Sequence, residues 1–119
     1  MHGFLDELDQ AFVTFQLGTS LLDFQIDTGF TGTLIVGEEL FDTTSGTPAG
    51  SLNAELADEH NDTYETYKTI VMWFDEPIRV RVLVGPGKLC LLGTDMLKPH
   101  RLEIDYGLRT ARLIRNLEW

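Results

Sequence analysis

The most informative part of the sequence reads Phe24-Gln25-Ile26-Asp27-Thr28-Gly29-Phe30-Thr31-Gly32-Thr33. Apolar and polar residues alternate up to Ile26, which is the pattern of a strand with one buried face. An acid, a small hydroxyl residue and a glycine follow at the end of this strand. An aspartate that a rigid strand delivers into a tight loop has the fixed position that an acid–base catalyst requires. Asp27 is therefore the candidate catalytic residue, while Gly29 permits the turn and Thr28 can bond to backbone or across an interface.

Asp-Thr-Gly alone is also ordinary turn chemistry, and roughly a few per cent of chains this long contain a given tripeptide by chance. The longer string 26–32 is much more specific, because it lies between two apolar strands. Its interpretation depends on whether the rest of the chain fits around it.

The composition favours a single globular domain covering residues 1–119, since 119 residues with 43% hydrophobic content suffice for one core. A formal net charge of −10 argues against binding to nucleic acid or to an anionic membrane. No apolar run approaches the ~20 residues of a membrane span, and the N-terminus lacks the features of a secretory signal. Cys90 is the only cysteine, so no intrachain disulfide is possible and a cytoplasmic location is expected. The three histidines lie far apart, and we expect neither a metal site nor a cofactor.

Short alternating strands make up most of the chain. Ala11–Leu17 and the strand leading to Asp27 form a predicted hairpin, and the apolar segment 89–92 precedes Gly93 and a short helix capped by Thr94 or Asp95. Residues 1–10 fit a strand or a short helix equally well. The remaining predictions are strands at 33–36, 78–84, 101–106 and 109–114, a helical turn at 37–41, a loop at 43–50, a turn at 75–77 and a hairpin turn at 85–88. This pattern indicates an all-β, single-domain closed barrel with one short helix in its C-terminal half.

A second hairpin is predicted at about 51–74, where 51–57 and 63–74 alternate on either side of a polar segment. The linking residues are Asp58, Glu59, His60, Asn61 and Asp62. A hairpin with so polar a tip is not buried. An exposed, solvated hairpin explains these residues as well as a functional one does.

These features together resemble the retropepsin-like aspartic proteases, in the form found in small bacterial and archaeal members. The string 26–32 resembles the active-site loop of that family, and Leu91-Leu92-Gly93 resembles its second signature, which crosses behind the loop. The resemblance extends from Ala11 to the C-terminal strands. It implies that Asp27 is the catalytic acid, that Thr28 bonds to the loop of a partner subunit and that Gly29 shapes the loop. It also implies that the hairpin 51–74 is a flap over bound peptide, with residues 58–62 at a tip that is mobile until a ligand orders it.

The chain departs from the viral members of that family at four positions. Phe30 stands where they have a small residue, and Thr31 and Gly32 stand where they have acids. Thr94 replaces an arginine that pairs with one of those acids. That ion pair cannot form here, so a dimer must be held in another way. Because Phe30 is larger than the viral residue, the resemblance does not determine the shape of the substrate pocket.

The chemistry of Asp27 requires a second carboxylate. Hydrolysing a peptide without a metal or a nucleophilic side chain needs one group that deprotonates water and another that protonates the substrate. Two carboxylates in contact share one proton and supply both groups. Because this chain has one such motif, the second Asp27 must come from a two-fold-related copy. The predicted function is a homodimeric aspartic endopeptidase acting on peptide or protein, with the first ten residues and the 108–119 tail, including Leu117 and Trp119, available for intersubunit strands.

Two other functions remain compatible with the sequence. A non-catalytic dimerisation or peptide-binding module could use the same fold, although such a module has no need of an acid at Asp27. An unrelated β-barrel with a chance tripeptide would leave Leu91-Leu92-Gly93 and the 51–74 hairpin unexplained.

Overall fold

A computed structural model describes residues 1–55 and 61–116, with only the backbone of residues 54, 55, 61 and 62. Within these two ranges the chain forms ten strands, a 3₁₀ turn and a short helix. In chain order they are β1 (His2–Leu5), β2 (Ala11–Leu17), β3 (Ser20–Ile26), β4 (Leu34–Gly37), the 3₁₀ turn (Thr43–Ser45), β5 (Thr47–Glu55), β6 (Asn61–Trp73), β7 (Glu76–Gly85), β8 (Cys90–Leu92), α1 (Thr94–Leu97), β9 (His100–Asp105) and β10 (Thr110–Arg115).

The ten strands make one sheet in the order β5-β6-β7-β4-β8-β3-β2-β1-β10-β9. A further pairing of Leu17 in β2 with Val71 in β6 joins the sheet to itself. Six strands, from β6 through β7, β4, β8 and β3 to β2, therefore close into a barrel. The predicted all-β barrel with one short helix is confirmed, as is the antiparallel pairing of the two predicted hairpins and of β9 with β10.

The barrel interior is filled by the alternating faces of its strands. In β2, Val13, Phe15 and Leu17 are all buried, as the sequence pattern requires. The Phe15 ring stacks on Phe24 with centroids 4.2 Å apart and meets Trp73 edge-on at 5.4 Å. These aromatic pairs hold β3 and β6 in position against β2. They therefore also hold in place the end of β3, which Asp27 follows directly.

β4 is buried on both of its faces, because a second apolar cluster lies outside the barrel. This outer cluster consists of Phe30, Ile35, Tyr64, Leu83 and Leu91. A short continuous apolar run such as 34–36 is what a strand covered on both sides requires.

Several predicted boundaries were wrong. The 43–50 segment is not all loop, since β5 begins at Thr47 as the edge strand of the sheet, where Pro48 needs no ladder partner for its nitrogen. The 75–77 turn lies one residue earlier, because Phe74 and Asp75 both have positive φ and β7 begins at Glu76. The 85–88 turn does not close a hairpin, because β4 lies between β7 and β8. The predicted helical turn at 37–41 is present as one turn after β4, in which Leu40 N–H and Phe41 N–H both donate to the Gly37 carbonyl.

Helix α1 is capped differently from the prediction. Gly93 is its N-cap residue and makes no side-chain cap, while Thr94 is already the first helical residue. No helix in the two described ranges has the length and apolar character needed to cross a bilayer.

The terminal strands pair within the chain, which corrects the prediction that they are available to a partner. β1 resolves the open choice at residues 1–10 as a strand, and it is hydrogen-bonded to β2 on one edge and to β10 on the other. The Met1 ammonium also donates to the Leu113 carbonyl at 2.6 Å. Leu117 and Trp119 lie outside the described residues.

Candidate active site

Asp27 lies directly beyond the end of β3, in a loop that its own groups help to fold. Its backbone N–H donates to the Leu92 carbonyl at 3.0 Å, and its carbonyl accepts from Phe30 N–H at 3.2 Å. Its side-chain Oδ1 accepts from Gly29 N–H at 2.9 Å. In this turn the aspartate side chain accepts a hydrogen bond from the backbone amide two residues later, and this bond fixes the orientation of the carboxylate. Among the residues the structure describes, Oδ2 receives no hydrogen bond.

Three successive backbone amides brace this loop from behind. Gly93 N–H donates to Thr33 O at 2.8 Å, Thr94 N–H to Phe30 O at 2.9 Å, and Asp95 N–H to Gly32 O at 3.1 Å. The register brings Leu92 beside Ile26 in a parallel pairing. The Leu91-Leu92-Gly93 motif therefore lies behind the loop that carries Asp27, and the loop carbonyls are satisfied by protein groups and not by water.

Phe30 is part of the protein core. Its side chain is 2% exposed and belongs to the outer cluster with Ile35 and Leu83. A Cβ atom added to Gly32 would meet the Phe30 ring at 2.6 Å, so the ring and this glycine are matched to each other. Phe30 thus supports the loop from the core.

The other two residues of the motif face outward. Thr28 and Gly29 are exposed, whereas Asp27 is half-buried. Within residues 1–55 and 61–116 the Thr28 hydroxyl makes no hydrogen bond. The same part of the chain holds no group of three histidine, cysteine, aspartate or glutamate side chains that could bind a metal ion. The predicted loop is therefore assembled around one carboxylate whose exposed flank is Thr28 and Gly29.

The predicted hairpin reaches the active-site loop through Leu52 and Asn53 of β5. A cavity of about 260 Å³ is lined by loop residues, by strands β5 and β7 and by the start of α1: Phe30, Thr31, Gly32, Leu52, Asn53, Leu83 and Asp95. Asp58, Glu59 and His60 lie outside the described residues. Asn61 and Asp62 open β6, with backbones paired to Glu55 and Ala54. The role of these five residues as a flap stays a prediction.

Alternation in the segment 78–84 predicts that Arg79 and Arg81 both point outward, and for Arg81 this prediction is wrong. Its Nε donates to the Thr66 hydroxyl at 3.0 Å and its Nη2 to the Ala49 carbonyl at 2.9 Å. Thr66 is 1% exposed and its hydroxyl donates to Gly50 O at 2.9 Å. This cluster joins β5, β6 and β7 at the base of the hairpin, and no local pattern in the sequence signals it.

The fold is that of a known class of enzymes. The chain is similar to the crystal structure of a retropepsin-like aspartic protease from Rickettsia conorii, with a TM-score of 0.59, 95% of this chain and 88% of that chain covered, and 16% sequence identity. At that identity the similarity shows the fold, and the resemblance stated from the sequence is confirmed at this level. No protein-family model matches the sequence. No curated protein matches it either.

Proposed function

We propose that this chain is an aspartic endopeptidase that works as a homodimer, with one Asp27 from each subunit at a shared site. The observation that carries the proposal is the position of Asp27. Its carboxylate is oriented by Gly29 N–H at 2.9 Å in a loop braced by residues 92–95, within a retropepsin-like fold.

The proposed reaction needs two carboxylates in contact. At a separation of ~3 Å they cannot both ionise, so the pair holds one proton. The ionised Asp27 takes a proton from a water molecule that attacks the scissile carbonyl carbon, and the protonated Asp27 donates its proton to the carbonyl oxygen, which gives a tetrahedral diol. The C–N bond of the diol then breaks as the first Asp27 passes its proton to the leaving nitrogen and the second takes a proton from a diol hydroxyl. No metal and no cofactor takes part. In the proposed dimer Gly29 keeps the turn open, and the Thr28 hydroxyl bonds to the loop of the partner subunit.

The proposed substrate is an extended peptide or protein segment. It would lie across the loop at Asp27, under the 51–74 hairpin, where Leu52 and Asn53 already meet Thr31 and Gly32 around the 260 Å³ cavity. In this proposal residues 58–62 close over the substrate as a flap and exclude water from the reacting centre. A cytoplasmic location, which a single cysteine favours, belongs to the same proposal.

The proposal is tested by mixing wild-type subunits with Asp27→Asn subunits. Asparagine is nearly isosteric, so the loop should survive, but its amide cannot cycle a proton. If subunits exchange freely at equal amounts, roughly a quarter of the dimers hold two Asp27 residues. Cleavage of an unfolded protein, per wild-type chain, should then fall to about half.

The shape of the titration separates the alternatives. At constant total protein, a shared site makes the cleavage rate fall as the square of the wild-type fraction. A rate proportional to that fraction would exclude the shared pair of aspartates. Absence of cleavage in the wild type, at every pH from acid to neutral, would favour a peptide-binding module on the same fold. A mass measurement that confirms hybrid dimers is the control.

A further inference from the structure

Strand β5 contains a bulge just before the part of it that lines the cavity beside the active-site loop. The register of β5 on β6 shifts between Pro48 and Ser51. Ala49 and Gly50 therefore stand opposite a single residue of β6, Thr66. A bulge of this kind bends its strand and redirects the side chains that follow it.

Gly50 gives the bulge its backbone shape. Its φ is +87°, a conformation that residues with a side chain rarely adopt. A Cβ atom added to Gly50 would have no other atom within 4 Å, so the glycine is required by backbone conformation and not by crowding. Packing does not hold the bulge on this side, and its position depends on the hydrogen bonds made to its carbonyl groups.

Arg81 and Thr66 bond to both carbonyl groups of the bulge. Arg81 Nη2 donates to the Ala49 carbonyl and the Thr66 hydroxyl donates to the Gly50 carbonyl, each at 2.9 Å. Arg81 Nε donates to the same hydroxyl at 3.0 Å, so one guanidinium holds the threonine and the strand together. Because Thr66 is 1% exposed, water is kept from competing for its hydroxyl.

The main chain of Arg81 is bonded to the active-site loop. Its carbonyl accepts from the Thr33 hydroxyl at 2.5 Å. Thr33 ends the loop that begins at Asp27, and its own carbonyl accepts from Gly93 N–H at 2.8 Å. Arg81 therefore contacts the bulge through its side chain and the active-site loop through its backbone.

The bulge and the loop lead to two walls of the same cavity. The cavity of about 260 Å³ has Thr31 and Gly32 of the loop in one wall and Leu52 and Asn53 of β5 in another. Leu52 is the second residue after the bulge and is 40% exposed. A shift of the bulge would move Leu52 relative to the loop, whereas the bonds that hold the loop itself would remain.

We propose that Arg81 is a positioning residue for the peptide substrate, because its guanidinium sets how β5 lies against the active-site loop. The inference rests on the proposed function, in which this cavity is part of the peptide cleft. Arg81 makes no hydrogen bond to Asp27 and does not line the cavity. Loss of its guanidinium should therefore weaken peptide binding and leave the chemical step nearly unchanged.

The test compares Arg81→Lys, Arg81→Met and Thr66→Val, after thermal melts confirm folding. Lysine keeps the positive charge but cannot reproduce the fork of donors, and methionine removes both charge and donors. Valine replaces the threonine hydroxyl by a methyl group of similar size. Arg79→Lys and Arg79→Met are the matched controls, because Arg79 is exposed and lies two residues earlier on the same face of β7.

Fluorescently labelled casein, an unfolded protein, is the probe. Its cleavage gives KM and kcat, and its fluorescence anisotropy with each variant in an Asp27→Asn background gives Kd without cleavage. We expect the three variants to raise KM and Kd at least about fivefold with kcat within about twofold, and the controls to change none of them by more than about twofold. A general loss of folded protein would instead lower kcat and leave KM unchanged.

Arg81→Met combined with Thr66→Val provides a second measurement. The two side chains act through one link to the bulge, so the double variant should raise Kd little beyond the larger single effect. Effects on Kd that multiply would show two independent contributions and would overturn the shared link.

The outcomes separate this inference from the proposed function. A Kd that depends on Arg81, in a wild type that cleaves no casein, supports the positioning role and excludes the peptidase. Cleavage with a KM that Arg81→Met leaves unchanged keeps the enzyme and overturns the inference. Binding restored by Arg81→Lys would show an effect of charge alone and would also overturn it. A wild type that neither binds nor cleaves casein overturns both proposals.

Discussion

A Cβ atom at Gly93 would lie 2.1 Å from the carbonyl oxygen of Gly32. The two glycines touch because the segment that starts α1 crosses directly behind the loop carrying Asp27, where Asp95 N–H also donates to Gly32 O at 3.1 Å. No side chain fits in that contact. The pairing explains why an apolar pair ending in glycine accompanies the Asp-Thr-Gly motif in this sequence.

Gly93→Ala should therefore displace the active-site loop. The added methyl meets backbone, which cannot rotate away as a side chain can, and overpacking of this kind costs about 1–3 kcal/mol. We expect the free energy of unfolding in urea to fall by that amount and peptide cleavage to fall with it. Gly107→Ala is the control, since its nearest contact would be a side-chain oxygen at 3.4 Å. Equal stability of the two variants would contradict the contact.

Arg81→Lys should loosen the edge strand β5. A lysine ammonium cannot reproduce the two guanidinium bonds to the Thr66 hydroxyl and the Ala49 carbonyl, and losing such bonds costs about 1–3 kcal/mol. We expect faster amide hydrogen exchange in residues 47–53. Arg79→Lys is the control, because Arg79 is exposed and lies two residues earlier on the same face of β7. This substitution should change the unfolding free energy by less than about 0.5 kcal/mol. If both variants exchange alike, Arg81 has no role at the hairpin base.

His100 should make the protein less stable as the pH falls below 6.5. Burial, followed by the positive charges of Arg115 and the N-terminus, lowers the pKa of His100 from its ordinary value of 6.5. Its Nε2 also accepts from Trp73 Nε1–H at 3.1 Å, a bond that only the neutral ring can accept. The unfolded chain then binds more protons than the folded chain in this range, so the stabilisation is present above pH 6.5 and is lost as the pH falls through the folded pKa.

The measurement is the free energy of unfolding of the wild type and of His100→Gln between pH 7.5 and 5.5. The wild type should lose more stability across this range than the variant, because glutamine does not titrate. Carboxylates titrate mainly below the range and act on both proteins alike. Parallel curves for the two proteins would show that His100 is not the titrating group.

Much of the candidate site could be predicted from sequence because its signals are local. Period-two alternation identified β2 and β3, and an aspartate with two nearby glycines identified the loop beyond Ile26. The apolar run before Gly93 identified β8 in the same way. Each of these features depends on which face of a strand is buried and on which residues can turn, and both are properties of a few consecutive residues.

The tertiary structure decided which strands are neighbours in the sheet. Alternation in the sequence identifies the buried face of a strand, but it does not identify the strands that hydrogen-bond to its edges. The parallel pairing of Ile26 with Leu92, the insertion of β4 between β7 and β8, and the intrachain pairing of β1 all join residues distant in sequence. Those pairings make Arg81, which the alternation predicts to point outward, a partly buried link between β5, β6 and β7. They also brought the turn 6–10 beside the turn 106–109, where Arg109 bonds to Asp9 and to the Asp6 carbonyl. Such groupings follow from packing the whole chain around one core, which no window of neighbouring residues contains.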